Sequence, residues 1–362
     1  LSNNAPLPSR AVKRTPKKRK PTGKKMRWGR FFFLFLTLII VVLATYVGIL
    51  YFDSWKGNLV KIAKPEDGIV IPKEERAQNK PISFVLLGLD TRPETGSMNT
   101  DVMMVASFNP QSKTATVVSI PRDSNLDLKG YKKHKANGYY AAFYHVGKNT
   151  EKLEGDLIAA YARDETRLML SRFFDIEINY TAVIDFQGFV DVVDALGGVT
   201  VTVDQNMRYV DNADGTNINL SKGEQKLDGD QTLGFVRYRQ SNPGKNATRA
   251  SSDFERNERQ SQVLGAITDR MKSLGTVTKV GGILDAVGDN MRTDIPKAQI
   301  ENVIKTYFGI DRSNIRFIPL EGNWKSPYVY LNEAKLQEAK AALAEELLPE
   351  GRPSAASADK VE

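Results

Sequence analysis

Residues 82–90 read ISFVLLGLD, a nearly continuous apolar run of strand length that ends in a glycine turn and an aspartate. A strand with one wet face alternates apolar and polar residues, so an unbroken run predicts a strand buried on both faces. Downstream, DVMMVASF (101–108) and TATVVSI (114–120) flank NPQSK (109–113), which predicts a hairpin with a five-residue connection. Residues 180–184 read as a strand. Residues 186–196 read as a helix carrying Phe189, Val190, Val193 and Leu196 on one face, and Gly197-Gly198 end it. Residues 199–203 then return as a strand, so 180–203 reads as a βαβ unit. Helices are predicted at 229–238, 254–274 and 332–347, and a strand at 315–319. Strands alternating with helices give an α/β fold: a central mixed β-sheet covered by helices on both faces.

Upstream, the chain changes character. FFFLFLTLIIVVLATYVGILYF (31–52) is uncharged over 22 residues. At a rise of about 1.5 Å per residue it spans about 33 Å, enough for a hydrocarbon core of about 30 Å. Trp28, Tyr46, Tyr51 and Trp55 flank its ends, where amphipathic rings favour the interface. Residues 1–30 carry eleven Lys or Arg and no acid, more than the whole chain's net +8, so the rest is slightly acidic. A basic arm on one side of an apolar span predicts a transmembrane signal anchor with a cytoplasmic N-terminus and an extracytoplasmic body. It also argues against nucleic acid as a partner, because the membrane divides the arm from the body. The expected layout is arm 1–30, transmembrane anchor helix 31–52, stalk 53–79, extracytoplasmic domain 80–348 and disordered tail 349–362.

Cysteine is absent and only His134 and His145 occur, which excludes disulfides and thiol chemistry and argues against histidine-rich zinc sites. Two groups of residues remain. Asp90 closes the buried strand and Asp101 begins the next, so a folded-back loop brings both carboxylates to one sheet edge, where α/β folds place ligands. Such a pair suits Mg²⁺ or Mn²⁺ on substrate phosphates, and equally suits loop capping or arginine pairing. The second group is Arg122, Arg237, Arg239, Arg256 and Arg259, the last two sharing a helix face by their spacing. A guanidinium fork matches phosphate, and it also matches a salt-bridged surface.

The order and content of these motifs resemble the LytR–CpsA–Psr family, whose members attach anionic glycopolymers to peptidoglycan. The resemblance runs from about residue 82 to 260 through the Gly88–Asp90 turn, TDVMMV (100–105), SIPRD (119–123) and Lys135–Asn137. It continues with DFQGFVDVVDALGGV (185–199), LDGDQTLGFVRYR (227–239) and RNERQ (256–260). It implies that Asp90 and Asp101 hold a metal ion, Mg²⁺ or Mn²⁺. It also implies that Arg122, Arg237, Arg239, Arg256 and Gln260 bind the substrate pyrophosphate, with Asp101 and Arg122 catalytic. For Arg259 both phosphate contact and helix support stay open.

The implied substrates are a polyprenyl-pyrophosphate-linked glycopolymer, such as wall teichoic acid or capsule, and a peptidoglycan hydroxyl. The implied products are a phosphodiester and polyprenyl phosphate, formed by an enzyme held at the lipid bilayer. Phe186, Phe189, Val190 and Val193 are candidates for an apolar trough for the lipid, or plain core. The loop 240–252 reads as a lid or a surface loop. Rival readings are a polyprenyl-pyrophosphate pyrophosphatase, with water as acceptor, and a lipid-binding envelope regulator without turnover. No feature of the sequence fixes an oligomeric state.

Overall fold

The computed structural model describes residues 70–90, 98–212, 215–244, 247–273 and 290–355. The predicted arm and membrane span lie outside these. Among the described residues no helix is long and apolar enough to cross a membrane.

The run at 82–90 forms β1 (Ile82–Asp90), buried between two neighbours in the middle of a six-stranded sheet. It pairs antiparallel with β2 (Asn99–Asn109), which continues through the predicted hairpin into β3 (Thr114–Ser119). Asn109 shapes that turn, its side-chain oxygen accepting from the backbone of Gln111 and Ser112. On its other side β1 pairs parallel with β4 (Tyr180–Asp185). The sheet ends at β9 (Met291–Thr293), antiparallel to β4, and at β10 (Ile315–Pro319), parallel to β3. It is therefore mixed, as expected.

Alternate residues of β1 serve different faces. Val85, Leu87 and Leu89 enter the main core with Met103, Val105 and Val118. Three helices close that face: α1 (Tyr139–Asn149), α2 (Asp156–Phe174) and, late in the chain, α7 (Glu333–Leu347). The opposite face is covered by α3 (Phe186–Ala195), α4 (Gly229–Arg237), α5 (Asp253–Ser273) and, at the start of β1, α6 (Lys297–Tyr307).

The expected βαβ unit is overturned. β5 (Val199–Val203) does not rejoin the sheet but pairs antiparallel with β8 (Gly223–Leu227), and β6 (Met207–Asp211) pairs with β7 (Thr216–Leu220). The free edge of β4 is taken by β9. Val199, Val201 and Val203 are buried while Thr200 and Thr202 are exposed, a one-faced alternation that a strand inside a doubly covered sheet would lack. The β5–β8 pair, the β6–β7 hairpin, α4 and α5 build a second core around Phe235, Tyr238 and Met207.

Both edges of the domain extend past their expected limits. Ile71 and Ala77, assigned to the stalk, are buried, and Gln299 of α6 bonds both Ala77 N and Glu75 O. Arg352, assigned to the disordered tail, pairs at 2.9 Å with Glu346, a carboxylate with no exposure. Thr116 donates to the same carboxylate at 3.0 Å, so its buried charge is well met. Residues 356–362 lie outside the described residues.

Candidate active site

A cavity of ≈ 480 Å³ lies between the second face of the sheet and the helices α3, α4 and α5. Every second residue of β1 lines it: Leu86, Gly88 and Asp90. From β2 come Asn99, Asp101, Val102 and Met104, and the presence of Asp101 among them has a backbone cause. The ladder pairs Gly88 with Val102 but Leu89 with Thr100, leaving Asp101 as the extra residue of a β-bulge. In an uninterrupted ladder Asp101 would oppose Leu89 and share its core-facing side. The bulge re-aims the carboxylate into the cavity, the use to which bulges beside functional sites are put.

Arg122 stands at the same end. The chain leaves β3 after Ser119, and Asn137 N donates to the Arg122 carbonyl at 2.9 Å. Its guanidinium donates to Asp101 Oδ1 at 3.0 Å and lies 3.8 Å from Asp123, which also pairs with Lys135 at 3.1 Å. Asp90 is 5% exposed and lines the same end. Asp101 is thus an arginine partner, one of its two sequence readings, and with Asp90 it also supplies hard oxygen donors from adjacent strands. Among the described residues no three or more His, Asp or Glu form a metal cage. Two carboxylates beside an arginine cluster nevertheless fit the needs of Mg²⁺, an oxygen-binding cation that usually keeps several of its waters.

The other cations arrive on α4 and α5. α4 begins with a capping box between Asp228 and Gln231 and ends at Arg237, whose guanidinium lies 4.2 Å from the Phe186 ring centre. Tyr238 turns the chain out of the helix, and Arg239 follows on the exposed side. At the start of α5, Ser252 and Glu255 bond each other's backbone N–H groups, the same reciprocal device. From there Arg256, Gln260, Val263, Leu264 and Ile267 run along one face of the helix into the cavity. Burial lowers the pKa of Arg256 to about 10, and the like charge of Arg122 adds to the effect, with Arg239 contributing and Asp101 opposing. These side chains form one electrostatic cluster.

The structure therefore brings together all the candidate residues: Asp90, Asp101, Arg122, Arg237, Arg239, Arg256 and Gln260. It separates Arg259 from them. That residue is 4% exposed, donates to both oxygens of Asp204 at 2.8 Å, and reaches Tyr238 O and Ser251 Oγ. Arg259 supports the helix, and the shared face expected for Arg256 and Arg259 does not hold. Both histidines lie outside the cavity lining.

Away from the cations the walls are apolar: Leu86, Val102, Met104 and Ile184 from the sheet, Leu233 and Val236 from α4. Of the α3 candidates, Phe186 and Phe189 line the cavity, joined by Val192. Val190 and Val193 are buried, Val193 in the second core. The loop 240–252 is tied down in part: Tyr238, Ser241 and Thr248 hydroxyls bond one another, and Ser251 N donates to Arg239 O. Asn99, and Phe254 in the cleft beyond the arginines, carried no motif that sequence reasoning used.

A model of the LytR_cpsA_psr family matches residues 56–348. The chain is 28% identical over 345 residues to the polyisoprenyl-teichoic acid–peptidoglycan teichoic acid transferase TagT of Bacillus subtilis, covering 91% of this chain and 98% of that protein. It is 31% identical over 234 residues to the corresponding transferase TagU of Bacillus cereus, covering 65% of this chain and 67% of that one. Among solved structures, TagT (YwtF) with bound octaprenyl pyrophosphate lipid superposes with a TM-score of 0.54 at 26% identity, covering 79% of this chain and 98% of that chain.

Proposed function

The chain belongs to the LytR–CpsA–Psr family, and on that premise we propose that it transfers an anionic glycopolymer from a polyprenyl pyrophosphate to a peptidoglycan hydroxyl. The observation that carries this reading is a single cavity with two chemistries: apolar walls for a prenyl chain, and an arginine–aspartate end for a pyrophosphate. The relatives' teichoic acid substrates, and the lipid held by a relative, support the same substrate class.

Arg122, Arg237, Arg239 and Arg256 hold the pyrophosphate oxygens, with Gln260 as a neutral donor. The hydroxyl attacks the polymer-side phosphorus, its new P–O bond replacing the bridging P–O bond, and polyprenyl phosphate leaves. Asp101, bonded to Arg122 through Oδ1, would take the hydroxyl proton where its carboxylate is not fully engaged by metal. Asp90 and Asp101 would hold Mg²⁺ or Mn²⁺, which supplies positive charge against the phosphate oxygens. Preorganised charge of this kind is the main contribution a protein makes to phosphoryl transfer. The uncharged span at 31–52 would confine the domain to the outer membrane surface with its lipid substrate.

The test is to incubate the detergent-solubilised chain with a short glycan-bearing polyprenyl pyrophosphate, a peptidoglycan oligomer and Mg²⁺, and to analyse products by mass spectrometry. A phosphodiester conjugate is expected, falling by about 10²-fold or more in folded Asp101→Asn and Arg122→Ala. Hydrolysed lipid without conjugate would replace the proposal with a pyrophosphatase. Bound but unchanged lipid would replace it with a binding protein.

A further inference from the structure

The arginine cluster has a second side. A separate cleft of ≈ 250 Å³ shares Arg122, Arg239 and Arg256 with the apolar cavity but is walled by Ser251, Ser252, Phe254 and Trp324. Trp324 lies on β11 (Gly322–Lys325), which pairs with β12 (Tyr328–Leu331) in a hairpin outside the main sheet. The hairpin is fastened to the site through Val329, the cross-strand partner of Trp324: Val329 N donates to Asp123 O and Asn125 N to Val329 O, both at 2.9 Å. The indole is 58% exposed. Lys135, which pairs with Asp123 beside Arg122, stands 5.4 Å from its ring centre.

A large aromatic side chain left that exposed contributes little to the core, so its position calls for another explanation. We propose that Trp324 is the stacking platform of a saccharide subsite. A pyranose has an apolar C–H face, which fits an indole, and a polar rim, which fits a cleft with hydroxyl and cationic walls. The three shared arginines fix the order along the ligand: prenyl chain in the apolar cavity, pyrophosphate at the arginines, sugar in the cleft beyond. The inference rests on the transferase reading for its substrate class. A sugar sits on this side of the phosphorus in two molecules, the donor polymer and the acceptor glycan, and both present the same face.

Three tryptophans occur in the chain, Trp28, Trp55 and Trp324, and Trp324 alone belongs to the described residues. The full chain in detergent is titrated with a peptidoglycan-derived glycan in one arm and a lipid-free glycosyl pyrophosphate in the other. Tryptophan emission and calorimetry are followed for wild type, Trp324→Phe and Trp324→Ala, with folding checked by circular dichroism. We expect a saturable emission change in wild type that Trp324→Phe removes, which assigns the signal. We expect binding to weaken about five- to tenfold in Trp324→Ala and to be largely retained in Trp324→Phe, because a phenyl ring keeps the stack.

The arm that responds identifies the source, and KM for that substrate should rise in Trp324→Ala with kcat little changed. Equal affinity of wild type and folded Trp324→Ala for both ligands would overturn the subsite. Absence of transfer with the binding difference intact would remove the transferase reading and leave the subsite standing.

Discussion

Arg256 and Arg259 sit three residues apart on one helix and do opposite work. Arg259 spends its charge inside the protein, on Asp204 and two further acceptors, whereas the charge on Arg256 is opposed first by burial and then by the like charges of Arg122 and Arg239. A base whose pKa is lowered binds its proton less tightly in the folded state than in the unfolded chain. Its charged form therefore opposes folding at every pH below about 10, and the opposition fades as pH rises through that value. An anion that joins the cluster offsets the like charges of Arg122 and Arg239 around Arg256. Thermal unfolding near pH 7 checks this: inorganic pyrophosphate should raise the wild-type Tm clearly more than that of Arg256→Gln. Equal shifts in the two proteins would remove Arg256 from the anion site. The arginine spacing alone did not separate the two roles, because Asp204 lies 55 residues away from Arg259 and meets it only through folding.

At the scale of elements, the site depends on one irregular strand and one tight helix contact. The bulge at Asp101 is invisible to pattern, since VMMV (102–105) is apolar throughout and only the pairing with β1 exposes the extra residue. The contact lies between α3 and α4. A β-carbon added at Gly229 would fall 2.5 Å from Val190 O and 2.7 Å from Val190 Cγ1, distances at which backbone must move. Helix propensity favours alanine over glycine by about 1 kcal/mol in a helix interior, and less at this first position. Overpacking against backbone costs about 1–3 kcal/mol. Close approach therefore wins: Gly229→Ala should lower unfolding stability by about 1–2 kcal/mol in denaturant titration. A stabilised variant would mean that α4 can shift without loss. The cavity-facing residues of α3 and α4, Phe189 and Val236 among them, share this packing, so the apolar cavity depends on a glycine outside its lining.

Over the whole molecule, the last helix is locked by residues that composition assigns to a tail. Glu346 has no exposure, and its charge is met by Arg352, Thr114 and Thr116, joining α7, the sheet and the chain beyond the helix. Removing one partner of a buried pair leaves the other charge without its main compensation. Arg352→Ala should lower the unfolding free energy by about 3 kcal/mol, with Glu346→Gln/Arg352→Ala recovering part of the loss. A change below about 1 kcal/mol would mark the pair as dispensable.

Much of this was legible beforehand. The nearly continuous apolar run of β1 dictated a doubly covered strand, because no solvated face can be built from ISFVLLGL. The hairpin, the helices at 229–237 and 253–273, and the candidate site residues followed from local pattern and from motif order. What local pattern could not carry was partnership. β5 has the composition of a sheet strand, yet β9 holds the edge it would need, and the choice between them is made by sequence-distant backbone. The same holds for the bulge at Asp101, the burial of Arg259 against Asp204, and the placing of Trp324 beside Arg122. Periodicity reports which face of an element is buried, because side chains repeat with the backbone. Which groups meet across that face is decided by tertiary contacts between residues far apart in the chain, and those contacts made the cavity.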